Sequence, residues 1–392
     1  MHTQQIIYSI LDTDLYKLTM QYAVLQKFPS LEVKYRFNDR NNQIYPKGFA
    51  EALVGQLRMM EKLELTLVEE SFLRKKVGTF LPQTYLDFLA GYRFNSNEVT
   101  VSQTPDGRLS ILITGLWYHT ILWEVPILAI ISELFYKMTN QFPILEKLND
   151  QDCAKVGKLE RHNAHFSDFG TRRRYSYANQ DRIVKLFQGI TDGHFTGTSN
   201  VHLAHKHGCN VMGTLAHEWI MAHGALYGYR MANKLSMEHW VDVFQGDLGI
   251  ALSDTYTTDS FLQAFNLKYA KLFDGVRQDS GDPYEFADKV IAHYQKLRID
   301  PMSKTIIFSN ALTPDEAVNI KEYCVGKIKS AFGIGTNFTN DLGLKPMNIV
   351  IKLSSVNIDG VWYDTVKLSD DLGKYTGNEE EIHLCKETLR IT

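Results

Sequence analysis

The chain is 392 residues long and carries a formal net charge of −3, with 44% hydrophobic and 22% charged residues. That length is too great for one simple core, so two domains or one large barrel with additions are expected. The charge balance is ordinary for a globular protein and gives no general argument for nucleic acid or an anionic membrane as a partner.

Residues 15–27 read as a helix behind Asp12-Thr13-Asp14, which offers cap residues. Residues 31–38 alternate in strand fashion through Val33, Tyr35 and Phe37. Helices are predicted over 49–62 and 69–79, and 98–101 with 108–114 read as a hairpin around Pro105-Asp106-Gly107. Near residue 122 the texture changes. A long helix over 122–137 precedes strand candidates at 166–169, 193–197, 211–214, 252–256, 272–276, 305–308 and 330–334. Helical patterns such as 283–297 and 313–323 follow several of them. Spacings of roughly 20 to 40 residues suit βα units on a parallel sheet. That many units predict a closed or nearly closed α/β barrel over 122–344. A doubly wound open sheet is the alternative, although the GxGxxG fingerprint is absent. Residues 349–356 and 361–368 form a hairpin pattern around Asn357-Ile358-Asp359-Gly360. The segment 345–392 is expected to return to an N-terminal α+β domain over 1–121.

Cys153, Cys209, Cys324 and Cys385 form no CxxC pair, which argues against a disulfide scaffold or zinc ribbon and fits a reducing cytoplasm. The first five residues lack the basic-then-apolar pattern of a signal peptide. The most apolar stretch, 121–135, is interrupted by Glu124, Pro126 and Glu133 and reads as a buried helix rather than a membrane span.

Five polar clusters follow barrel strands or sit in their loops, where barrel active sites are built. Asp168-Phe169-Gly170-Thr171-Arg172-Arg173-Arg174 offers guanidinium groups that match phosphate oxygens, or is a solvated basic run. Gly197-Thr198-Ser199-Asn200 is small and polar, and by itself no more than a helix cap. In Gly213-Thr214-Leu215-Ala216-His217-Glu218, a histidine directly after a strand is a candidate nucleophile or base, or a satisfied rim histidine. Gly275-Val276-Arg277-Gln278-Asp279-Ser280-Gly281-Asp282-Pro283 crowds two acids and an arginine into one turn. Those acids suit ribose hydroxyls or Mg²⁺, or Asp282 is simply an N-cap. Ser309-Asn310-Ala311 with Phe332-Gly333-Ile334-Gly335-Thr336-Asn337 offers backbone N–H groups to a phosphate after a late strand.

Taken in order, with Thr13-Asp14-Leu15-Tyr16-Lys17-Leu18-Thr19-Met20 at the start, these motifs resemble the nicotinate phosphoribosyltransferase family across nearly the whole chain. The resemblance implies an irregular α/β barrel of the type II phosphoribosyltransferases and a homodimer with a shared active site. It implies a ligase that makes nicotinate mononucleotide from nicotinate and phosphoribosyl pyrophosphate, with ATP as cosubstrate and Mg²⁺ as cofactor. His217 matches the family's phosphohistidine. Phe169 and Tyr16, the latter from the partner subunit, would sandwich the pyridine ring. Arg277 would face the substrate carboxylate or ring, and Arg172 the phosphoribosyl or pyrophosphate group. Asp279 and Asp282 would hold ribose hydroxyls or Mg²⁺, and Gly333, Gly335 and Thr336 the 5′-phosphate. Related nicotinamide enzymes carry an aspartate where this chain has Ser199. A carboxylate substrate is repelled by an aspartate and tolerated by a serine, which favours nicotinate.

Two other readings compete. A metal-dependent barrel hydrolase would draw on His162, His165, His202, His205 and His207, but His217-Glu218 is followed by His223, which breaks the HExxH spacing. A non-catalytic phosphate-binding barrel would bind without turnover.

Overall fold

The computed structural model describes residues 4–143, 148–371 and 375–391. Residues 1–3 of the leader reading and 372–374 of the C-terminal segment lie outside the described residues. The strands run in chain order as β1 (Glu32–Asp39), β2 (Val99–Gln103), β3 (Leu109–Leu116), β4 (Phe166–Asp168), β5 (Phe195–Thr198), β6 (Ile250–Leu252), β7 (Gly275–Gln278), β8 (Thr305–Phe308), β9 (Lys329–Ile334), β10 (Ile349–Ile358) and β11 (Val361–Asp364). They build a five-stranded sheet of order β11-β10-β1-β3-β2 and a six-stranded sheet of order β5-β4-β9-β8-β7-β6. In the first, β1 pairs antiparallel with both β10 and β3, so early and late chain share one sheet. In the second every pairing is parallel. Its short strands carry Phe166, Val276, Ile306, Phe308, Phe332 and Ile334 fully into the interior, as sheets covered on both faces require.

The sequence therefore folds as a mixed α/β protein with one parallel and one antiparallel sheet. Several strand expectations shift by a few residues, and two of the differences bear on the site. Residues 211–214 do not form a strand. Val211 makes one parallel bridge to Thr198, and Thr214 Oγ1 then donates to the Ile250 carbonyl of β6 at 3.2 Å. The reason lies at Gly213, whose φ of 138° bends the segment out of strand geometry next to the backbone of Tyr16. The strand expected at 252–256 lies at Ile250–Leu252, which leaves Ser253-Asp254-Thr255 beyond its carboxyl end.

Helix Leu15–Lys27 follows Asp14 as N-cap residue, although that side chain makes no cap hydrogen bond. Its Oδ1 instead accepts the Ser199 hydroxyl at 2.7 Å. The apolar stretch near 121–135 lies in helix Glu124–Met138, buried along its length against the Thr171–Arg173 turn, β10 and helix Phe49–Met60. Among the described residues no helix is long and apolar enough to cross a membrane. The N-terminal segment is pinned to the parallel sheet by a fully buried bidentate pair. Arg174 Nη1 and Nη2 donate to Asp12 Oδ1 and Oδ2, both at 2.7 Å. With neither side chain exposed, the paired hydrogen bonds offset part of the cost of desolvating both ions.

Candidate active site

A cavity of about 1430 Å³ is lined by residues of both sheets. Phe169 and Arg172 reach it from beyond β4, Ser199 from beyond β5, Arg277 and Asp279 from β7 and its loop, and Gly333, Gly335 and Thr336 from β9. Tyr16 enters from the first helix and His217 from the first residue of helix His217–Tyr227. Residues more than 300 positions apart are thus brought to one place.

One expected cavity residue lies elsewhere. Asp282 does not line the cavity. Its Oδ1 accepts the backbone N–H of Tyr284 and of Glu285, both at 2.9 Å, so it caps helix Pro283–Lys296. Tyr16 lies on the wall of the same chain's cavity, with the Arg172 guanidinium 5.9 Å from its ring centroid.

His217 sits at the centre of a polar knot. Its Nδ1 lies 3.0 Å from Thr255 Oγ1, and its Nε2 lies 3.0 Å from Asp279 Oδ2 and 2.9 Å from Lys367 Nζ. Asp254 Oδ1 is 3.7 Å from the same Nε2, while Asp254 Oδ2 receives Ser280 Oγ at 2.6 Å and Lys367 Nζ at 3.2 Å. Nε2 cannot both donate to Asp279 and accept from Lys367. Burial first, and then Lys367, push His217 down to about 4, so the ring is neutral. With its proton on Nδ1 facing Thr255, Nε2 presents a lone pair beside the ammonium.

Asp254, Thr255, Lys367 and Lys352 were not singled out from sequence. Asp254 had a signal, since Ser253-Asp254-Thr255 directly follows an apolar strand, but placing that strand two residues late hid it. The lysines had none. Lys352 stands between apolar Ile351 and Leu353 in β10 and is pushed down to about 7 by burial, with Lys367 next in effect. Arg36, Arg40, Arg172, Arg173 and Arg277 join these lysines on the cavity wall, which also carries Asp14, Glu124, Glu218 and Asp279, so cations and carboxylates share it. On the cavity wall, buried Tyr16 OH and Arg277 Nε have no hydrogen-bond partner among the described residues; Asp254 Oδ1, 3.7 Å from His217 Nε2 but not on that wall, has none either. Polar groups left in that state on a cavity wall are the ones a ligand satisfies.

Gly333 makes room for Phe169. A Cβ at this position would lie 2.3 Å from Phe169 Cδ2, and one at Gly335 would lie 3.0 Å from the Phe169 carbonyl oxygen. The histidines of the hydrolase reading do not converge. His202 meets Tyr177 OH, His207 meets Asp181, and His205 packs on Phe72. Among the described residues, the group able to hold a metal is His217, Asp254 and Asp279.

A cavity at the carboxyl ends of a parallel sheet, with several arginines on its wall, is the kind of site α/β enzymes use for phosphorylated substrates. Comparison with known proteins narrows this. Residues 11–132 match the nicotinate phosphoribosyltransferase N-terminal domain model, and residues 164–392 match the nicotinate phosphoribosyltransferase family model. The chain belongs to that family. It is 48% identical over 386 residues to a nicotinate phosphoribosyltransferase of Chromohalobacter salexigens, covering 98% of each chain. It is 43% identical to one of Methanosarcina mazei, covering 97% of each. The crystal structure of the Porphyromonas gingivalis nicotinate phosphoribosyltransferase superposes with a TM-score of 0.96 at 48% identity, covering 98% of this chain and 100% of that one.

Proposed function

We propose that this chain makes nicotinate mononucleotide from nicotinate and phosphoribosyl pyrophosphate, releasing pyrophosphate, as a step of nicotinate salvage toward NAD. ATP hydrolysis is coupled to it through a phosphate carried on His217. The observation that carries this reading is the His217 imidazole on the cavity wall, whose Nε2 lies 2.9 Å from Lys367 Nζ and 3.0 Å from Asp279 Oδ2, with Asp254 Oδ1 at 3.7 Å. In the same proposal the parallel sheet and the 211–214 segment form an irregular barrel over 122–344. Residues 1–121 with 345–392 form the second domain, and two chains assemble as a homodimer in the cytoplasm.

The ring nitrogen of nicotinate attacks C1 of the ribose as the C1–O bond to pyrophosphate breaks. The nitrogen uses its own lone pair, so no base is needed. Positive charge grows on the ribose and is met by Asp279, while the charge on the leaving group is met by Arg172, Lys352 and Lys367. Tyr16 and Phe169 hold the ring, and Arg277 faces its carboxylate. Gly333, Gly335 and Thr336 take the 5′-phosphate. The donor set fits Mg²⁺: Asp254 and Asp279 supply carboxylate oxygens within 4.8 Å of each other and of His217, and Asp254 Oδ1 lacks a partner. Asp254 thus takes the place first assigned to Asp282. When bound, the ion would neutralise pyrophosphate charge. In the coupled step, Nε2 of His217 attacks the γ-phosphorus of ATP, ADP leaves, and water later cleaves the P–N bond.

The test is turnover of nicotinate and phosphoribosyl pyrophosphate with and without ATP and Mg²⁺, following the mononucleotide and acid-labile phosphate on the protein. Failure to form the mononucleotide under any of these conditions would overturn the reading. A second expectation concerns the ring site. Gly333→Ala drives a methyl into Phe169, so nicotinate KM should rise about tenfold or more, equal to roughly 1.4 kcal/mol. The KM for phosphoribosyl pyrophosphate should move less, and an unchanged nicotinate KM would remove Gly333 from the ring site.

A further inference from the structure

The two ring nitrogens of His217 meet different kinds of partner. Nδ1 lies 3.0 Å from Thr255 Oγ1. A hydroxyl both donates and accepts, so this end of the ring is satisfied in either neutral tautomer. The tautomer is therefore decided at Nε2, where two groups with opposite demands converge. Asp279 Oδ2, 3.0 Å away, belongs to a carboxylate and only accepts; its other oxygen receives Ser309 Oγ at 2.9 Å. Lys367 Nζ, 2.9 Å away, is an ammonium and only donates. If Asp279 prevails, Nε2 carries the proton and has no lone pair to give. If Lys367 prevails, the proton sits on Nδ1 and Nε2 is an acceptor.

We propose that Lys367 is the positioning residue that sets the tautomer of His217: by donating to Nε2 it keeps the imidazole proton on Nδ1 and so leaves Nε2 the nitrogen able to attack. This rests on the reading that His217 takes a phosphoryl group from ATP. The backbone fixes Lys367 in this place. Its N–H donates to the Thr376 carbonyl at 2.8 Å, and its carbonyl accepts from Thr376 N–H at 2.8 Å. The next residue, Leu368, donates its N–H to the Thr255 carbonyl at 2.8 Å. Thr255, which meets Nδ1, thus also anchors the segment whose lysine meets Nε2. Nζ is buried and lies 3.2 Å from Asp254 Oδ2 as well, so the ammonium keeps a partner when it leaves the Nε2 lone pair. In the coupled step that lone pair forms the bond to the γ-phosphorus, the P–O bond to ADP breaks and its electron pair leaves on ADP. The Nδ1 proton stays beside Thr255, and Lys367 keeps all of its own. Without the ammonium, Asp279 takes an Nε2–H and the Thr255 hydroxyl turns to donate to Nδ1. That alternative is fully hydrogen-bonded, so nothing else in the knot opposes it.

The test reads the tautomer directly, by long-range ¹H–¹⁵N spectra of the full-length protein labelled in histidine, with the His217 signals assigned by their loss in His217→Asn. The unmodified ring should be neutral and protonated at Nδ1. In Lys367→Met, which keeps an unbranched stem without the charge, the proton should move to Nε2. In Lys367→Arg, whose guanidinium also only donates, it should stay on Nδ1. The single-turnover rate of phosphoryl transfer from labelled ATP should fall about a hundredfold or more in Lys367→Met, on the scale of trapping a catalytic histidine in its wrong tautomer, and Lys367→Arg should restore most of it. A merely structural lysine would change the rate without moving the proton. Nε2–H in the unmodified protein, a measurement that stands even if Lys367→Met does not fold, overturns the inference alone, as does Nδ1–H retained in Lys367→Met. Mononucleotide formed by the unmodified enzyme with no acid-labile phosphate on it overturns the ATP-coupled reading and the inference with it.

Discussion

His217→Ala should abolish acid-labile phosphate on the protein and, with it, the stimulation of mononucleotide synthesis by ATP. In the proposed function the His217 imidazole is the nucleophile, and its surroundings hold it in the neutral form that this role needs. An ordinary histidine is half-protonated near pH ~6.5. Burial, reinforced by Lys367, pushes His217 down to about 4. Protonation removes the Nε2 lone pair, so the acid limb of phosphorylation follows this folded-state value. Transfer from ATP should be nearly independent of pH from neutrality to about pH 5 and should fall only as about pH 4 is approached. A limb near pH ~6.5 would mean that the imidazole is less buried in the working enzyme. Rapid acid quench with labelled ATP reads both quantities. Phosphate retained in His217→Ala would refute His217 as the acceptor. His217→Asn, which keeps a hydrogen-bonding side chain near Thr255 and Asp279, should be equally unphosphorylated and separates loss of the nucleophile from collapse of the knot.

The elements legible in the sequence were those whose pattern is local. Helix Leu15–Lys27 and β8 at Thr305–Phe308 fall where apolar periodicity and flanking breakers put them. The short parallel strands were found within a few residues, because an apolar run buried on both faces needs no partner to be recognised. Residues 211–214 look like such a run, but Gly213 supplies a backbone turn that the run does not announce. Helix Val201–His207 follows the cap that Gly197-Thr198-Ser199-Asn200 offered, with Asn200 accepting from Leu203 N–H, whereas the glutamate-rich helix Glu379–Leu389 was not foreseen. The candidate site divides in the same way. Residues just past a strand (Phe169, Ser199, Arg277, Asp279) were legible, because strand ends are where a parallel sheet gathers its chemistry. Lys367 meets His217 across 150 positions of sequence, from a part of the chain that reads as an ordinary hairpin, and no local pattern carries that contact. Asp282 shows the converse. An acid in a glycine-bounded turn before a proline has the same appearance whether it binds a ligand or caps a helix.

Lys17→Met should cost about 3–5 kcal/mol of folding stability, the range for breaking a buried ion pair on one side. Lys17 is fully buried, with Nζ 2.5 Å from Glu124 Oε2 and 2.6 Å from Glu218 Oε1. Methionine keeps an unbranched stem but leaves two carboxylates facing one another. Against the cost of burial, Lys17 and Arg172 hold Glu124 below the usual carboxylate range, whereas burial outweighs Lys17 at Glu218 and raises it. Glu218 is therefore the group that takes up the proton when the ammonium is removed. A carboxyl raised above its unfolded value binds a proton more readily in the folded state, so the variant should regain stability as pH falls toward that raised value and should be weakest at alkaline pH. Denaturant unfolding of both proteins at several pH values measures this. A difference under about 1 kcal/mol, within the range of a surface pair, would show that the triad is not carrying the fold. The damage should also reach the site. Lys17 follows Tyr16, Glu218 follows His217, and Glu124 lies 3.4 Å from Arg172. A buried charged triad is a poor way to gain stability compared with an apolar one. What it provides here is two carboxylates fixed beside the cavity's arginine and histidine, and the ammonium between them is what allows both to be buried and charged.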